Sequence, residues 1–433
     1  MARRSRFGLV LGSILLFTSA CTWSTVGYDA SRSGFSPHDR KITPANVGSL
    51  TERWTAEVGE WASAPVVGSG RVFVTGLVGS AGGIHAYDAT GTASCSGTDP
   101  NRCEPVWSVA LSHSCGNPGI SKPIFAEGLV WAGGASATLP ARNACWFYEV
   151  GSGFHPETGE PADARVVTSR AAPAASSDGV IFGYRLIPVV GLVPRIDAWT
   201  VLSAKVVNGD SVDFSLPITG SAPAVADGKL YVIHDGSLNT YDARGEDFCG
   251  FQPFIGRTCI PIWSGTLSQA PGWDDMPAVA NGLVYVPELN GNVDVFDADG
   301  CGGPTCSPLW SAHAGSMHLA PVAVTASTLF ASSDDGHLYA FNANGCGAAT
   351  CEPIWTGTGS GFLRAPSVAG SVLFAASTDG DLYAFNANGC GQATCEPLWS
   401  TDVGAGINSA PVISDGRVFV TDTVGTLHAY GLS

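Results

Sequence analysis

Residues 341–355 read FNANGCGAATCEPIW, and residues 385–399 read FNANGCGQATCEPLW, the same fifteen positions with two changes. Each copy follows an alternating run, GHLYAFNA (336–343) or GDLYAFNA (380–387), and each ends on tryptophan. Alternation of apolar and polar residues marks a strand buried on one face, and Asn-Gly is a strong hairpin-turn signal. The unit is therefore strand, turn, strand, with two cysteines five positions apart in the loop.

The unit belongs to a larger repeat. A proline preceded, in every copy but one, by a small or apolar residue and followed by an aliphatic run returns along the chain. The copies are SAPVV (63–67), SKPIF (121–125), AAPAA (171–175), SAPAV (221–225), DMPAV (275–279), LAPVA (319–323), RAPSV (364–368) and SAPVI (409–413). The last three intervals between these prolines settle near 45 residues, and the copy from 364 divides into four strand-like pieces: RAPSV, SVLFAAS, GDLYAFNA and PLWSTDV. Four short strands at that period are the signature of a β-propeller blade, and a proline is tolerated at a strand's first residue. The last copy ends at LHAYGLS without a fourth strand, while ERWTAEV (52–58) precedes the first copy unattached. The expectation is an all-β chain: a single eight-bladed β-propeller of four-stranded antiparallel blades over residues 45–433, its ring closed by the N-terminal strand joining the last blade. Closure removes free sheet edges.

Thirteen cysteines are present. Ten fall into local pairs, Cys95 with Cys103, Cys249 with Cys259, Cys301 with Cys306, Cys346 with Cys351 and Cys390 with Cys395; Cys115 and Cys145 pair by elimination. Such pairs read as disulfides in an exported chain or as zinc ligands. A four-cysteine zinc site needs two pairs to converge, whereas these recur in separate repeats, so each is expected to staple its own hairpin.

The thirteenth, Cys21, belongs to the N-terminus. MARRSRFGLVLGSILLFTSAC carries Arg3, Arg4 and Arg6, an apolar run from Phe7 to Phe17 and small residues before the cysteine. This is the three-part form of a secretory signal, too short to span a bilayer. Thr18-Ser19-Ala20-Cys21 resembles a bacterial lipobox with threonine at the usual aliphatic position; ordinary signal cleavage nearby is the competing reading. Residues 1–20 are read as signal peptide, with a lipid on Cys21 and residues 21–44 as lipid-anchored linker and lead-in. The protein is then anchored in the cell membrane or envelope, facing outward from the cytoplasm. Without residues 1–20 the chain has 18 basic residues against 37 acidic ones, net −19. With no basic cluster to follow phosphates, nucleic acid is excluded as a partner.

The repeats GHLYAFNA and GDLYAFNA followed by a tryptophan strand resemble those of pyrroloquinoline-quinone dehydrogenases and their non-enzymatic relatives, among them the lipoprotein of the outer-membrane β-barrel assembly machinery. Residues 25–55 resemble the opening segment of quinoprotein alcohol dehydrogenases, through Gly27-Tyr28-Asp29, Gly34-Phe35-Ser36-Pro37, Ile42-Thr43, Asn46-Val47, Leu50 and Trp54. The resemblance implies the propeller, and for an enzyme it implies pyrroloquinoline quinone, a calcium ion on Glu, Asn and Asp, an adjacent Cys-Cys pair and an Asp base beside Gly-Thr-Gly-Asn. This chain has no adjacent cysteines, and its nearest stretch, Gly357-Thr358-Gly359-Ser360, lacks the asparagine. No catalytic residue, cofactor or metal site is therefore assigned. The expected role is a monomeric binding or scaffold module for an envelope protein or a small ligand, with a quinone-dependent dehydrogenase as the alternative. The family's tryptophan-docking turn is best kept at Glu157-Thr158-Gly159-Glu160 and becomes the Asn-Gly-Cys loop elsewhere.

One constellation remains. Just before the inner-strand prolines stand Trp273, Asp274, Asp275, His318, Arg364 and Asn408, where most copies carry small residues; together they could line the channel mouth as a ligand site. His85, His337 and His428, in the third strand of three copies, read as partly exposed strand histidines. Asp297-Ala298-Asp299-Gly300 and Asp334-Asp335-Gly336 read as turns.

Overall fold

A computed structural model describes residue 22 and residues 24–432, except 79–80, 99, 112–121, 127, 136–148, 169–173, 176–179, 191–195, 207–213, 217–221, 235, 253–255, 270–275 and 316–318. At 78, at 81 and for most strand residues between 133 and 216 and between 251 and 258 the description is of the backbone. Cys21, Cys115, Cys145, Trp273, Asp274, Asp275 and His318 lie outside the described residues.

The described strands form eight sheets of four to six strands, and the chain is all-β and propeller-like. In the copy from 364, Ser367–Ala369, Val372–Ala376, Asp381–Asn386 and Trp399–Asp402 pair antiparallel in sequence order. Val372–Ala376 is buried throughout because both faces of the sheet meet neighbouring sheets. In the last sheet the fourth position is taken by Leu50–Glu57, antiparallel to Thr426–Leu432, with Leu50 opposite Leu432, Glu57 opposite Thr426 and a bulge between Glu52 and Trp54.

The stapled loops do more than clamp their own hairpins. Among the described residues five disulfides are formed, at Cys95–Cys103, Cys249–Cys259, Cys301–Cys306, Cys346–Cys351 and Cys390–Cys395. Thr350–Cys351 then leaves its own sheet and pairs parallel with the outer strand of the preceding one, Ser311 opposite Thr350 and Ala312 opposite Cys351. The same join recurs at Thr305–Cys306 on Trp263–Thr266, Thr394–Cys395 on Trp355–Thr358, Asn101–Cys103 on Leu50–Glu57 and Gly256–Cys259 on Phe214–Leu216. Where that preceding strand carries a tryptophan, the turn glycine of the joining loop lies on it. A Cβ on Gly345 would stand 3.0 Å from the Trp310 ring, one on Gly389 2.8 Å from Trp355, and one on Gly300 2.8 Å from Trp263. Gly91 meets Trp54 in the same way, and Gly159, in the expected docking turn, meets Trp107. Each glycine has positive φ, which a residue with a Cβ adopts at a cost. An aromatic ring of the following sheet completes the contact, as Tyr87 does for Trp54, Phe296 for Trp263 and Phe385 for Trp355.

The segment read as linker and lead-in is docked from Ser24 onward. Its carbonyls and one carboxylate accept amide N–H groups from the inner strands or inner turns of six sheets: Ser24 from Phe125 at 2.7 Å, Ala30 from Val225 at 2.7 Å, Ser31 from Val279 at 2.8 Å, Ser33 from Val324 at 2.7 Å, Gly34 from Val368 at 2.9 Å and Asp39 from Gly416 at 3.1 Å. Phe35–Ser36 adds a short parallel strand inside Ser367–Ala369. Arg32 is buried, its guanidinium donating to the carbonyls of Pro223 at 2.6 Å and Val26 at 2.8 Å. Val26 packs with Ala222, Met276 and Ala64, residues from three sheets. This strap makes residues 24–39 part of the core rather than a leash.

Two glycines isolate the tryptophan contact. Gly389 and Gly391 have φ of +79° and +77°, but only Gly389 meets an indole, while nothing lies within 4 Å of a Cβ on Gly391. Alanine at 391 is expected to cost about 1–2 kcal/mol of stability. Alanine at 389 should cost about 1–3 kcal/mol more because it also overpacks Trp355. Equal losses in denaturant unfolding would show that the indole contact adds nothing.

Candidate functional site

A sheet has two ends. At one lie the first turn and the disulfide loops; at the other lie the turn between the second and third strands and the crossing to the next sheet. The strap reaches the first end, where Gly370 N–H donates to Ser36 O at 3.2 Å and Lys41 pairs with Asp415. Arg364 and Asn408, the two described members of the proposed mouth, lie at the second. Arg364 Nε donates to Ile407 O at 3.4 Å, bringing the arginine beside Asn408, whose Oδ1 accepts from Thr421 Oγ1 at 3.3 Å. The pair ties two neighbouring sheets at the mouth. Phe362, Trp61 and Val424, on turns and crossings of the same end, are 58%, 76% and 68% exposed.

Beneath this end runs a polar position that no motif announced. The residue that closes the second-to-third-strand turn is Ser333, Ser377, Asp422 or Glu288, each donating its amide to the carbonyl four residues on. In the last sheet Asp422 faces His428, and the N-terminal strand adds Glu52: His428 Nε2 lies 3.1 Å from Asp422 Oδ2 and Nδ1 lies 2.7 Å from Glu52 Oε1. With a carboxylate on each ring nitrogen, the geometry suits the imidazolium. Burial opposes that charge, but the two carboxylates outweigh it and raise the pKa to about 9. Asp422 is also buried, yet its bonds to His428 and to the Thr426 amide hold it below its usual range. In the sheet containing Leu283–Pro287 the equivalent pair is two acids, Glu288 and Asp294, both buried. Burial pushes Glu288 up; a bond from Ser268 opposes this, and the charge of Asp294 adds to it. Comparing copies position by position would have singled out Glu288 and Asp422, acids where two other copies have Ser333 and Ser377.

The histidine expectations divide accordingly. His337 is partly exposed, as expected, and lies beside Asp335. His85 and His428 are buried instead, because their side chains face an adjoining sheet rather than solvent. The two acidic motifs are turns: Asp299 N–H donates to Asp297 Oδ1 at 2.8 Å, and His337 N–H to Asp335 Oδ1 at 2.9 Å. In Gly357-Thr358-Gly359-Ser360, Ser360 Oγ is 2.6 Å from Asp381 Oδ2 and accepts from the Tyr383 hydroxyl at 3.1 Å, so the stretch is a crossing locked into its own sheet. Among the described residues no group of three or more His, Cys, Asp or Glu side chains is placed to hold a metal ion.

The sequence profile of a family described as outer membrane protein assembly factor BamB matches residues 290–390 and 346–432. No curated protein matches the chain in sequence. Among solved structures, quinohemoprotein alcohol dehydrogenase from Comamonas testosteroni is similar over 97% of this chain and 82% of its own, at 13% identity and a TM-score of 0.62. A europium-containing methanol dehydrogenase covers 95% of this chain and 98% of its own at 11% identity and TM-score 0.60. BamB from Moraxella catarrhalis covers 88% and 97% at 14% identity and TM-score 0.52. At such identities the likeness is one of fold.

The His428 cluster sets a pH dependence. Its pKa is raised on folding, so its stabilisation is complete below the unfolded value near 6.5 and is lost as pH rises through about 9. Asp422 acts oppositely, contributing above its unfolded pKa near 4 and losing that as pH falls. Between pH 6 and 9.5 the parent should lose about 3 kcal/mol more than His428→Gln. Parallel curves for the two in urea titrations at each pH would remove the imidazolium from the account.

Proposed function

We propose, for a chain built of pyrroloquinoline-quinone-type propeller repeats, that it is an exported, lipid-anchored, eight-bladed propeller that binds partners at the cell envelope without transforming them. Eight sheets and the pairing of Leu50–Glu57 with Thr426–Leu432 support the blade number and the closure of the ring. The observation that carries the binding role is the contrast between the two ends. One receives the chain's own N-terminal strap; the other presents Trp61, Phe362 and Val424 to solvent beside Arg364 and Asn408. Exposed aromatic and aliphatic side chains on one face, rimmed by polar groups, fit a docking surface for an envelope protein or a small ligand.

A lipid on Cys21 gains a specific consequence from the strap. Ser24 is already bonded to Phe125, so three residues, about 10 Å of chain, separate the acylated thiol from the core. The propeller is then held close against the bilayer, and an acidic body at net −19 depends on the acyl chains to stay there.

The dehydrogenase reading draws support from the fold-level likeness to two alcohol-oxidising enzymes. It would need oxygen ligands for calcium and a base at Gly357–Ser360, where Ser360 is instead committed to Asp381 and Tyr383. Those residues do not fit the cofactor.

Two measurements test this reading. Replacing Cys21 with alanine should move the protein from the membrane fraction to the soluble one, and undiminished membrane retention rules out the lipid. Purified protein given calcium and pyrroloquinoline quinone should not reduce dye in the presence of alcohols or aldehydes; sustained turnover favours the enzyme.

A further inference from the structure

One seam lacks the strand that fills its neighbours. In three consecutive sheets the residue after the outer-strand tryptophan donates its amide outward to a loop of the following sheet. Ser264 N–H meets Pro304 O at 2.9 Å, Ser311 meets Ala349 O at 2.8 Å and Thr356 meets Ala393 O at 2.8 Å. The joining strands Thr305–Cys306, Thr350–Cys351 and Thr394–Cys395 thereby become the outermost of those sheets. Trp399–Asp402 is itself the outermost strand of its sheet. The sheet that follows takes its outer strand, Leu50–Glu57, from the N-terminus, so no stapled loop leads into it. No backbone group of residues 41–49 bonds to Trp399–Asp402 among the described residues, and Gly48 has nothing within 4 Å of where its Cβ would stand. The outward amide position of Ser400 is left without a carbonyl.

Packing marks the same gap independently. Trp263–Thr266, Trp310–His313 and Trp355–Thr358 each bury their first and third residues, whereas Trp399–Asp402 buries neither. Trp107 is half-buried as well, but Gly159 lies on its ring and Pro156 O accepts its Nε1–H at 2.8 Å. Beside Trp399 runs a cleft of about 330 Å³, walled by Ser400 and Thr401 on one sheet and by Leu50, Glu52 and Tyr430 on the next.

The filled seams define what such a cleft accepts. Each incoming strand runs parallel to the outer strand and sets an exposed threonine, at 305, 350 or 394, opposite the residue after the tryptophan. The next residue is a cysteine, buried at 306, 351 and 395. On Leu50–Glu57 the same register holds Arg102 and then the buried Cys103. The requirement is a backbone carbonyl for the outward amide and a small side chain turned inward, while the exposed residue varies. An open strand edge is a template for such an addition.

We propose that the Trp399–Asp402 edge binds an extended segment of a partner protein as an added parallel strand. Its carbonyl accepts the Ser400 amide, and a small side chain (alanine, serine or cysteine) enters the cleft between Trp399 and Tyr430. A two-fold pairing of this edge with a second copy would run antiparallel, unlike every strand the seams accept, which favours a different chain. The site lies on the outer rim and depends on neither the lipid nor the exposed residues of the mouth.

The probe is the chain's own joining loop, a disulfide-closed peptide of residues 386–398, titrated calorimetrically into the full protein. It should bind, and a peptide of the same residues in reversed order should not. Ser400→Pro removes the outward amide without removing a bond of the fold, so binding should weaken at least tenfold at an unchanged melting temperature. Ser311→Pro makes the same change at a filled seam; it should lower the melting temperature and bind the peptide as the parent does. No binding, equal binding of the reversed peptide, or undiminished binding by Ser400→Pro overturns the proposal. An equal fall in melting temperature in both proline variants means that the Ser400 amide is already bonded, and overturns it too. A parent dimer in sedimentation that Ser400→Pro dissolves assigns the edge to a second copy instead.

Discussion

The contact between a tryptophan of one sheet and a backbone glycine of the next is what the architecture depends on. A sheet in this chain cannot bury its faces alone, so each seam with a neighbour must be tight and repeatable. The indole supplies area, and the glycine lets the following loop approach to van der Waals distance with positive φ. Parallel pairing of the stapled strand adds amide bonds along the same seam. The disulfide therefore shapes a loop that belongs as much to the preceding sheet as to its own. At Trp399 the last sheet has no such loop to offer, and the indole meets Tyr430 edge-on at 5.6 Å instead.

The seams act between neighbours, whereas the strap acts across the middle. Inner strands of a propeller expose amides toward the axis, and unpaired buried amides are costly. Residues 24–36 accept such amides from five of these sheets, and Asp39 takes one from a sixth. The strap also explains the otherwise odd run of buried polar residues at Thr25, Arg32, Ser33, Ser36 and Asp39. The strap fills one end and leaves the loops of the opposite end, with Trp61, Phe362 and Val424, exposed.

The repeat was legible because Pro65 through Pro411 and the LYAFNA runs obey local rules of alternation and turn chemistry. The tryptophan seam was half legible. Gly345 and Cys351 marked a hairpin, but their pairing with Trp310 and Ala312 joins loops to a strand some forty residues earlier, and parallel pairing leaves no periodic trace. The strap was legible only as a resemblance, since GYDASRSGFSP has neither helical nor strand period. His85 and His428 were misjudged for a related reason: strand position tells which face a side chain takes, not whether another sheet covers that face. Of the proposed mouth, Arg364 and Asn408 do stand together, and the buried acids Glu288 and Asp294 went unnoticed because each looks ordinary until copies are compared.

The pairing of Leu50–Glu57 with Thr426–Leu432 imposes an order on time as well as space. The strand made first waits for the one made last, and every residue between them must be in place before its amides are met. Until then the growing molecule has two bare edges of complementary shape, each a template for a stray strand from another chain. A single molecule finishing alone and two molecules exchanging first strands satisfy the same amides. Which outcome prevails is decided by how crowded the unfinished chains are, so the concentration of nascent protein becomes part of what selects between them.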